Sequence, residues 1–113
     1  MALLYRDVPP IHPESENKWY GVALDNVEHA GASVTSATWS AATGLTVADS
    51  AYTNPGDSGH PTGYDGPVLA VALSTATGTA TGTTVDVTVA YETDRSEGPL
   101  HQVLRVTVST EGA

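Results

Sequence analysis

The sequence predicts an all-β protein, an antiparallel β-sandwich of about six to seven strands, from two runs near its C-terminal end and the turn between them. Apolar and polar residues alternate in residues 83–93 and again in residues 103–108, so each run is predicted to be a strand with one solvated and one buried face. The polar segment 94–99 contains Gly98 and Pro99 and joins the two runs into a hairpin. A lone hairpin cannot bury its apolar face, which implies a second sheet packed against it.

Further short apolar runs bounded by turn-forming residues supply the remaining strands, at residues 19–24, 32–40, 45–48 and 68–73. The second of these is rich in β-branched residues, which favour strands. Residues 53–67 are rich in Gly, Pro, Asn and Asp without any periodicity, so they are expected to form a long loop. Short strands separated by regularly spaced turn signals are typical of an all-β sandwich.

The predicted core is made of the apolar residues that alternate along these strands. Trp39 is expected to fill the space between the sheets, because the chain has no Phe and few other large side chains. An immunoglobulin domain would pair such a Trp with a disulfide, and this chain has no Cys, so the sandwich is expected to be Ig-like only in outline. The predicted core residues are Tyr20, Val22, Leu24, Val34, Trp39, Leu45, Val47, Leu69, Val71, Leu73, Val85, Val87, Val89, Tyr91, Leu104, Val106 and Val108.

The N-terminal segment has a different character from the strands. Pro9, Pro10 and Pro13 restrict the backbone and remove hydrogen-bond donors, so residues 1–16 are predicted to form an extended Pro-rich arm outside a sandwich of residues 17–113. A disordered terminus is the alternative. Disordered tails are usually poor in large apolar groups. This segment carries several, and they are predicted to dock on a neighbouring subunit: Leu3, Leu4, Tyr5, Val8 and Ile11.

Composition narrows the class of partner. Thirteen acidic residues against four basic ones give a formal net charge of -9, which repels nucleic acid and anionic membranes and leaves protein as the expected partner. Without Cys, a disulfide scaffold and thiolate chemistry are excluded. The sequence has no run of about 20 apolar residues and no basic-then-apolar leader, so neither a membrane span nor an export signal is expected.

Three blocks of the first half, residues 19–24, 31–39 and 44–47, resemble the small Ig-like proteins of tailed bacteriophages known as fiber-tail adaptor or tail accessory proteins. The most distinctive block is the pattern Gly-x-Ser-x-x-Ser-x-x-Trp that ends at Trp39. The second half also fits, and the resemblance covers roughly residues 17 to 108; the Pro-rich arm and the long loop depart from it. It implies a virion structural role without enzymatic activity.

The long loop contains two motifs that suggest chemistry. Gly56-Asp57-Ser58-Gly59-His60-Pro61 is close to the nucleophile box of trypsin-like proteases, which would need His12 or His29 and Asp49 as partners, but 113 residues cannot build the two barrels that close over such a site. A flexible loop is the preferred interpretation. Asn54, Asp57 and Asp65 offer oxygen ligands for Ca²⁺ without the spacing of a calcium loop.

Four scattered His, at positions 12, 29, 60 and 101, lack the spacing of a zinc site. No catalytic residue, metal or cofactor is therefore expected.

The resemblance implies a non-enzymatic phage structural protein that links neck, tail and fiber components. Such a protein is expected in several copies in the virion after synthesis in the host cytoplasm. Capsid decoration is the alternative position. A carbohydrate-binding sandwich is a further alternative, because such modules present aromatic rings to sugars, and Tyr52 and Tyr64 on or beside the long loop are the candidates. The same two tyrosines are also candidates for partner binding.

Overall fold

A computed structural model describes residues 3–13, 17–24, 31–95 and 99–110, with residues 3–7 described by their backbone alone. This part of the chain forms a β-sandwich of two sheets. One sheet has four strands in the order β1-β7-β6-β3, and the other has three in the order β2-β5-β4. The strands are β1 (Leu3–Asp7), β2 (Lys18–Ala23), β3 (Val34–Ala41), β4 (Leu45–Thr53), β5 (Val68–Thr75), β6 (Thr84–Thr93) and β7 (Leu100–Thr107).

The predicted terminal hairpin is confirmed. β6 and β7 pair antiparallel from Thr84 opposite Thr107 to Tyr91 opposite Leu100. Along β6, Val85, Val87, Val89 and Tyr91 are buried and alternate with more exposed residues. The period of two in the sequence therefore corresponds directly to the two faces of the strand.

A β-bulge in β3 allows both Val34 and Trp39 to point into the core. Val34 and Trp39 are five residues apart, so a regular strand would place them on opposite faces. The pairing with β6 shifts between Val34 and Ser36, which leaves Thr35 as the extra residue and restores the phase. Both side chains are consequently buried, as predicted, with Trp39 in the edge strand of its sheet.

β4 is longer than the predicted strand of residues 45–48, because a second bulge lets it continue. Its pairing with β5 shifts between Val47 and Asp49, so Ala48 is the extra residue. Without this shift, the period of two that points Leu45 inward would also point Asp49 into the core, at the cost of burying a charge. With it, Asp49 is exposed and pairs with Ala72.

The prediction that the N-terminal segment lies outside the sandwich is wrong. The backbone of β1 pairs in parallel with β7, and Ile11 forms a further parallel bridge to Val108. The Ile11 amide donates to the carbonyl of Thr107 at 3.0 Å, and its carbonyl accepts from Ser109 at 2.8 Å. Ile11 lies four positions after Asp7, whereas its partner Val108 lies three positions after Arg105, so the ladder is interrupted where Pro9 and Pro10 lie.

Two side chains of β2 hold the proline segment in place. The hydroxyl of Tyr20 donates to the carbonyl of Pro9 at 2.8 Å, and the ammonium of Lys18 donates to the carbonyl of Pro10 at 2.7 Å. The Lys18 nitrogen also lies 5.7 Å from the centroid of the Tyr20 ring. Burial raises the pKa of Tyr20 to about 12. The prolines thus provide acceptors to the sandwich although they cannot donate to a sheet.

The core agrees closely with the sequence-based prediction. Every predicted core residue is buried except Val47, which is partly buried against the others because it lies on an edge strand. Four buried apolar residues were not predicted, namely Ile11, Ala32, Ala72 and Val103. Gln102 is the polar exception on the core side of β7; its amide nitrogen lies 3.5 Å from the Tyr91 hydroxyl.

Replacing Ile11 by Ala should destabilise the chain by about 2–5 kcal/mol, because Ile11 is fully buried and its truncation leaves a cavity. The unfolding free energy would be measured by urea titration. Thr38→Ala, at an exposed position of β3, is the control and should stay within about 0.5 kcal/mol of the parent. Equal stability of the two variants would contradict the burial of Ile11.

The parent should lose stability as the pH rises from about 10 through 12. The Tyr20 pKa is raised in the folded state to about 12, so folding favours the neutral phenol, and that advantage is present below the unfolded pKa near 10 and disappears above the folded one. The loss should reach about 2 kcal/mol relative to Tyr20→Phe, whose ring cannot ionise. Melting temperatures of both proteins between pH 8 and about 12 test this, and parallel pH profiles would refute it.

Candidate interaction surface

The three-stranded sheet presents an outer face that is unusually apolar for a surface exposed to solvent. Three of its cross-strand rows are largely apolar, and we refer to them together as the outer face: Trp19–Ala72–Asp49, Gly21–Ala70–Ala51 and Ala23–Val68–Thr53. The next row of the sheet, Thr46–Ser74, is polar, and Ala72 is itself buried beneath its neighbours. Trp19 is 51% exposed, the most exposed of the large apolar side chains that the structure describes. Apart from Asp49 and Thr53, every residue of these rows is apolar or Gly.

The outer face of the four-stranded sheet provides an internal comparison. Its rows across β3, β6 and β7 include Ser36–Glu92, Ser40–Thr88–Val103 and Asp86–Arg105, so it is mostly polar, with Val103 and Ala90 as its apolar positions. The Arg105 Nε lies 3.4 Å from the Asp86 carboxylate, an ion pair between two half-exposed side chains. A solvated sheet face normally carries polar side chains of this kind, so the two outer faces of one sandwich differ in chemistry.

A surface pocket of about 140 Å³ lies at one end of the apolar outer face. Its sheet side is lined by residues 51–53 together with Val68 and Ala70, and Gly59 and Pro61 of the long loop line the other. Gly59 has a φ of 88°, a left-handed conformation that residues with a side chain adopt only with strain. The loop therefore folds back over the sheet at a residue suited to that backbone.

Side-chain hydrogen bonds connect the long loop to the sandwich and to itself. Asn54 pairs with Val34 as a strand would: its Oδ1 accepts from the Val34 amide at 2.8 Å and its Nδ2 donates to the Val34 carbonyl at 3.2 Å. The Asp57 carboxylate accepts from the Asn54 amide at 2.8 Å, and the Asp57 amide donates to the Asn54 carbonyl at 3.0 Å. Asn54 thus ties the start of the loop to β3 of the other sheet.

His60 holds the middle of the loop. Its Nε2 lies 3.1 Å from the carbonyl of Tyr64, which can only accept, so Nε2 carries the proton. In the neutral ring Nδ1 then accepts from the Thr53 hydroxyl at 2.8 Å. Both ring nitrogens are used within the loop, immediately before Pro61 of the pocket. The wall of the pocket is therefore built by contacts inside the chain.

Negative charge surrounds this region. Asp49 lies on the outer face two residues before Ala51, and Asp57 and Asp65 lie on the loop. Of the described basic side chains, Lys18 binds Pro10 and Arg105 lies on the opposite sheet, while the Arg95 guanidinium lies beside Gly31, whose amide donates to the Asp65 carbonyl. The outer face and its pocket thus combine an apolar surface with an acidic border.

The structure places the predicted partner-binding residues in three different environments. Leu3, Leu4 and Tyr5 lie in β1, where only the backbone is described. Ile11 is fully buried in the chain's own core, where its parallel bridge to Val108 places it, so it has no surface left for a partner. Val8 is partly buried against that core, and its contact with a partner stays a prediction. Tyr52, 40% exposed, borders the pocket, and Tyr64, 43% exposed, lies on the loop. The structure does not test whether either binds a partner.

The chemical motifs of the loop are accounted for by its own hydrogen bonds. The His60 ring contacts Thr53 and Tyr64, and Ser58 is exposed. The oxygens of Asn54 and Asp57 accept backbone amides. Within the described residues, no three His, Asp or Glu side chains come together where they could hold a metal ion. His29 lies outside the described residues.

The apolar character of the outer face is visible in the sequence, although the strand predictions above do not include it. Residues 68–73 are apolar without interruption, whereas a strand with one solvated face should alternate. Trp19, Gly21 and Ala23 likewise leave the outward positions of β2 without a polar side chain. Continuous apolar character in an edge strand and its neighbour indicates a sheet whose outer face is also apolar.

No family model, curated protein or solved structure matches the chain. Among the residues that the structure describes, no helix has the length and apolar character needed to span a membrane.

Asn54→Ala should destabilise the chain by about 1–3 kcal/mol, because it removes both hydrogen bonds to Val34 and leaves those backbone groups without the amide. Ser58→Ala, four residues further along the same loop and exposed, is the matched control and should be neutral. Chemical denaturation of both variants measures the difference. A neutral Asn54→Ala would mean that the loop is not held through this side chain.

Proposed function

We propose that the protein is a non-enzymatic structural component of a tailed-bacteriophage virion, an adaptor that joins neck, tail and fiber components through protein–protein contacts. The observation that carries this proposal is the apolar outer face of the three-stranded sheet. Contiguous exposed apolar surface on a small soluble domain marks an interaction site, and the four-stranded sheet of the same molecule has a mostly polar outer face.

The strand order supports the Ig-like resemblance on which the phage assignment rests. β2-β5-β4 facing β3-β6-β7 matches the B-E-D and C-F-G arrangement of immunoglobulin domains. β1 differs from the constant-type arrangement, since it pairs with β7 rather than β2. Because the N-terminal segment belongs to the sandwich, we expect a partner to contact the outer face rather than that segment.

Capsid decoration remains the alternative position in the particle, since a small sandwich with one apolar outer face could also attach to a capsid lattice. Both positions predict several copies arranged by the symmetry of the particle. They differ in where the protein is found and in its copy number. Neither requires a catalytic residue.

The proposal is tested with phage particles that lack the gene and are complemented with variants of the chain. Ala70→Glu places a charge in the middle row of the outer face, on the central strand of its sheet. Ala90→Glu makes the same change at an outward position of β6 on the other sheet and is the matched control. Ala70→Glu should abolish incorporation into purified virions, by immunoblot, while the parent and Ala90→Glu are incorporated.

A reconstruction of particles carrying a tagged chain then distinguishes neck or tail from capsid. Absence of the parent protein from purified virions would overturn the proposal, as would normal incorporation of a folded Ala70→Glu variant. Binding of soluble glycans that is lost in Tyr52→Ala or Tyr64→Ala, with no incorporation into particles, would instead favour the carbohydrate-binding alternative. Thermal melts of all three proteins establish that any loss of incorporation is not a loss of folding.

A further inference from the structure

We propose that the pocket formed by Ala51, Val68 and Ala70 with Gly59 and Pro61 binds one large apolar side chain of a partner polypeptide whose flanking residues are Lys or Arg. This inference rests on the proposed function for the partner being a protein, and it adds the chemistry by which that partner is recognised. Three properties of the pocket carry it, namely its size, its rigidity and the charge around it.

The size of the pocket suits a single apolar group. Its volume is about 140 Å³. An apolar cavity of about 150 Å³ accommodates benzene, so one Leu, Met or Phe side chain can fill this space. The lining is largely apolar: Ala51, Val68 and Ala70 with Tyr52 and Thr53 on the sheet side, and Gly59 and Pro61 on the loop side. It therefore favours an apolar anchor over a polar one.

The pocket is already formed before a partner arrives. Its sheet side belongs to the paired strands β4 and β5. Its loop side is held by the His60 contacts to Thr53 and Tyr64 and by the Asn54 pairing with Val34. A site that needs little ordering loses less conformational entropy on binding. A single buried side chain can then act as the anchor of a contact, as in the hot spots of protein interfaces.

The negative charge near the pocket indicates which residues should flank the apolar side chain of the partner. Asp49 lies on the outer face two residues before Ala51, and the Asp57 carboxylate accepts from the amide of Asn54, the residue after Thr53 of the pocket. Complementary charge favours encounter with a basic segment and disfavours an acidic one. A second copy of this chain carries the same net charge of -9 and is therefore the less suitable occupant.

The experiment follows backbone amide shifts of the ¹⁵N-labelled full chain during titration with synthetic seven-residue peptides. The first probe has a central Leu between two Lys on each side and Gly at both ends. The second replaces Leu by Ala, and the third replaces every Lys by Glu. The first should shift the amides of Ala51, Gly59, Val68 and Ala70, and it should bind at least about tenfold more tightly than either of the others, which corresponds to about 1.4 kcal/mol. Its affinity should fall as salt is added.

Two variants that fill the pocket keep the test independent of folding. Ala70→Leu and Ala51→Leu each add a side chain to the lining, and Ala90→Leu adds one to the opposite sheet as the control. Binding should be lost in either folded pocket variant and retained in Ala90→Leu. Binding of the Glu peptide as tight as that of the Lys peptide, shifts outside the pocket, or equal shifts with a soluble oligosaccharide would each overturn the inference.

The outcome also separates this inference from the proposed function. If the peptides fail to bind but Ala70→Glu still abolishes incorporation into virions, the basic-anchor chemistry is wrong and the structural role stands. If the Lys peptide binds at the pocket but the parent is absent from virions, the pocket chemistry stands and the phage assignment is wrong.

Discussion

The period of two along a β-strand is the constraint on which the rest of this structure depends, and two bulges adjust it. Each strand must point one set of side chains at the core, and a single extra residue reverses the sets. The bulge at Thr35 brings Val34 and Trp39 to the same side. The bulge at Ala48 turns Asp49 outward and places Ala51 on the outer face. The pocket exists because the bulge at Ala48 reverses the side-chain orientation within β4, which brings Ala51 beside Ala70 on the outer face.

Closure of the core depends on the N-terminal segment. The chain has no disulfide, so packing alone must seal the sandwich. Ile11 lies beside Val108 and is fully buried, and the carbonyls of the proline segment accept from Tyr20 and Lys18 of the other sheet. These contacts connect the two sheets along one edge. A segment that cannot form a regular strand thus contributes a buried side chain and hydrogen-bond acceptors.

The same sandwich carries one mostly polar and one largely apolar outer face, and this asymmetry links the fold to the proposed role. Apart from Trp19, the outward side chains of β2, β4 and β5 are small, so the sheet backbone lies close to the surface and a partner could approach it closely. The long loop then adds a wall and negative charge at one end. Its order comes from Asn54 and His60, whose side chains form the hydrogen bonds that a regular strand would form through its backbone.

The sequence by itself determined the all-β class, the terminal hairpin and nearly the whole core, because alternation is a local property that survives in any sheet arrangement. Tertiary structure alone decided the pairing of β1 and Ile11 with β7, since those residues are about a hundred positions apart and no local pattern encodes a parallel partner. It also decided the candidate site. In the sequence, Val68, Ala70 and Ala51 are typical of any strand. They line a pocket only because the bulge at Ala48 turns Ala51 outward and the long loop folds back over the sheet.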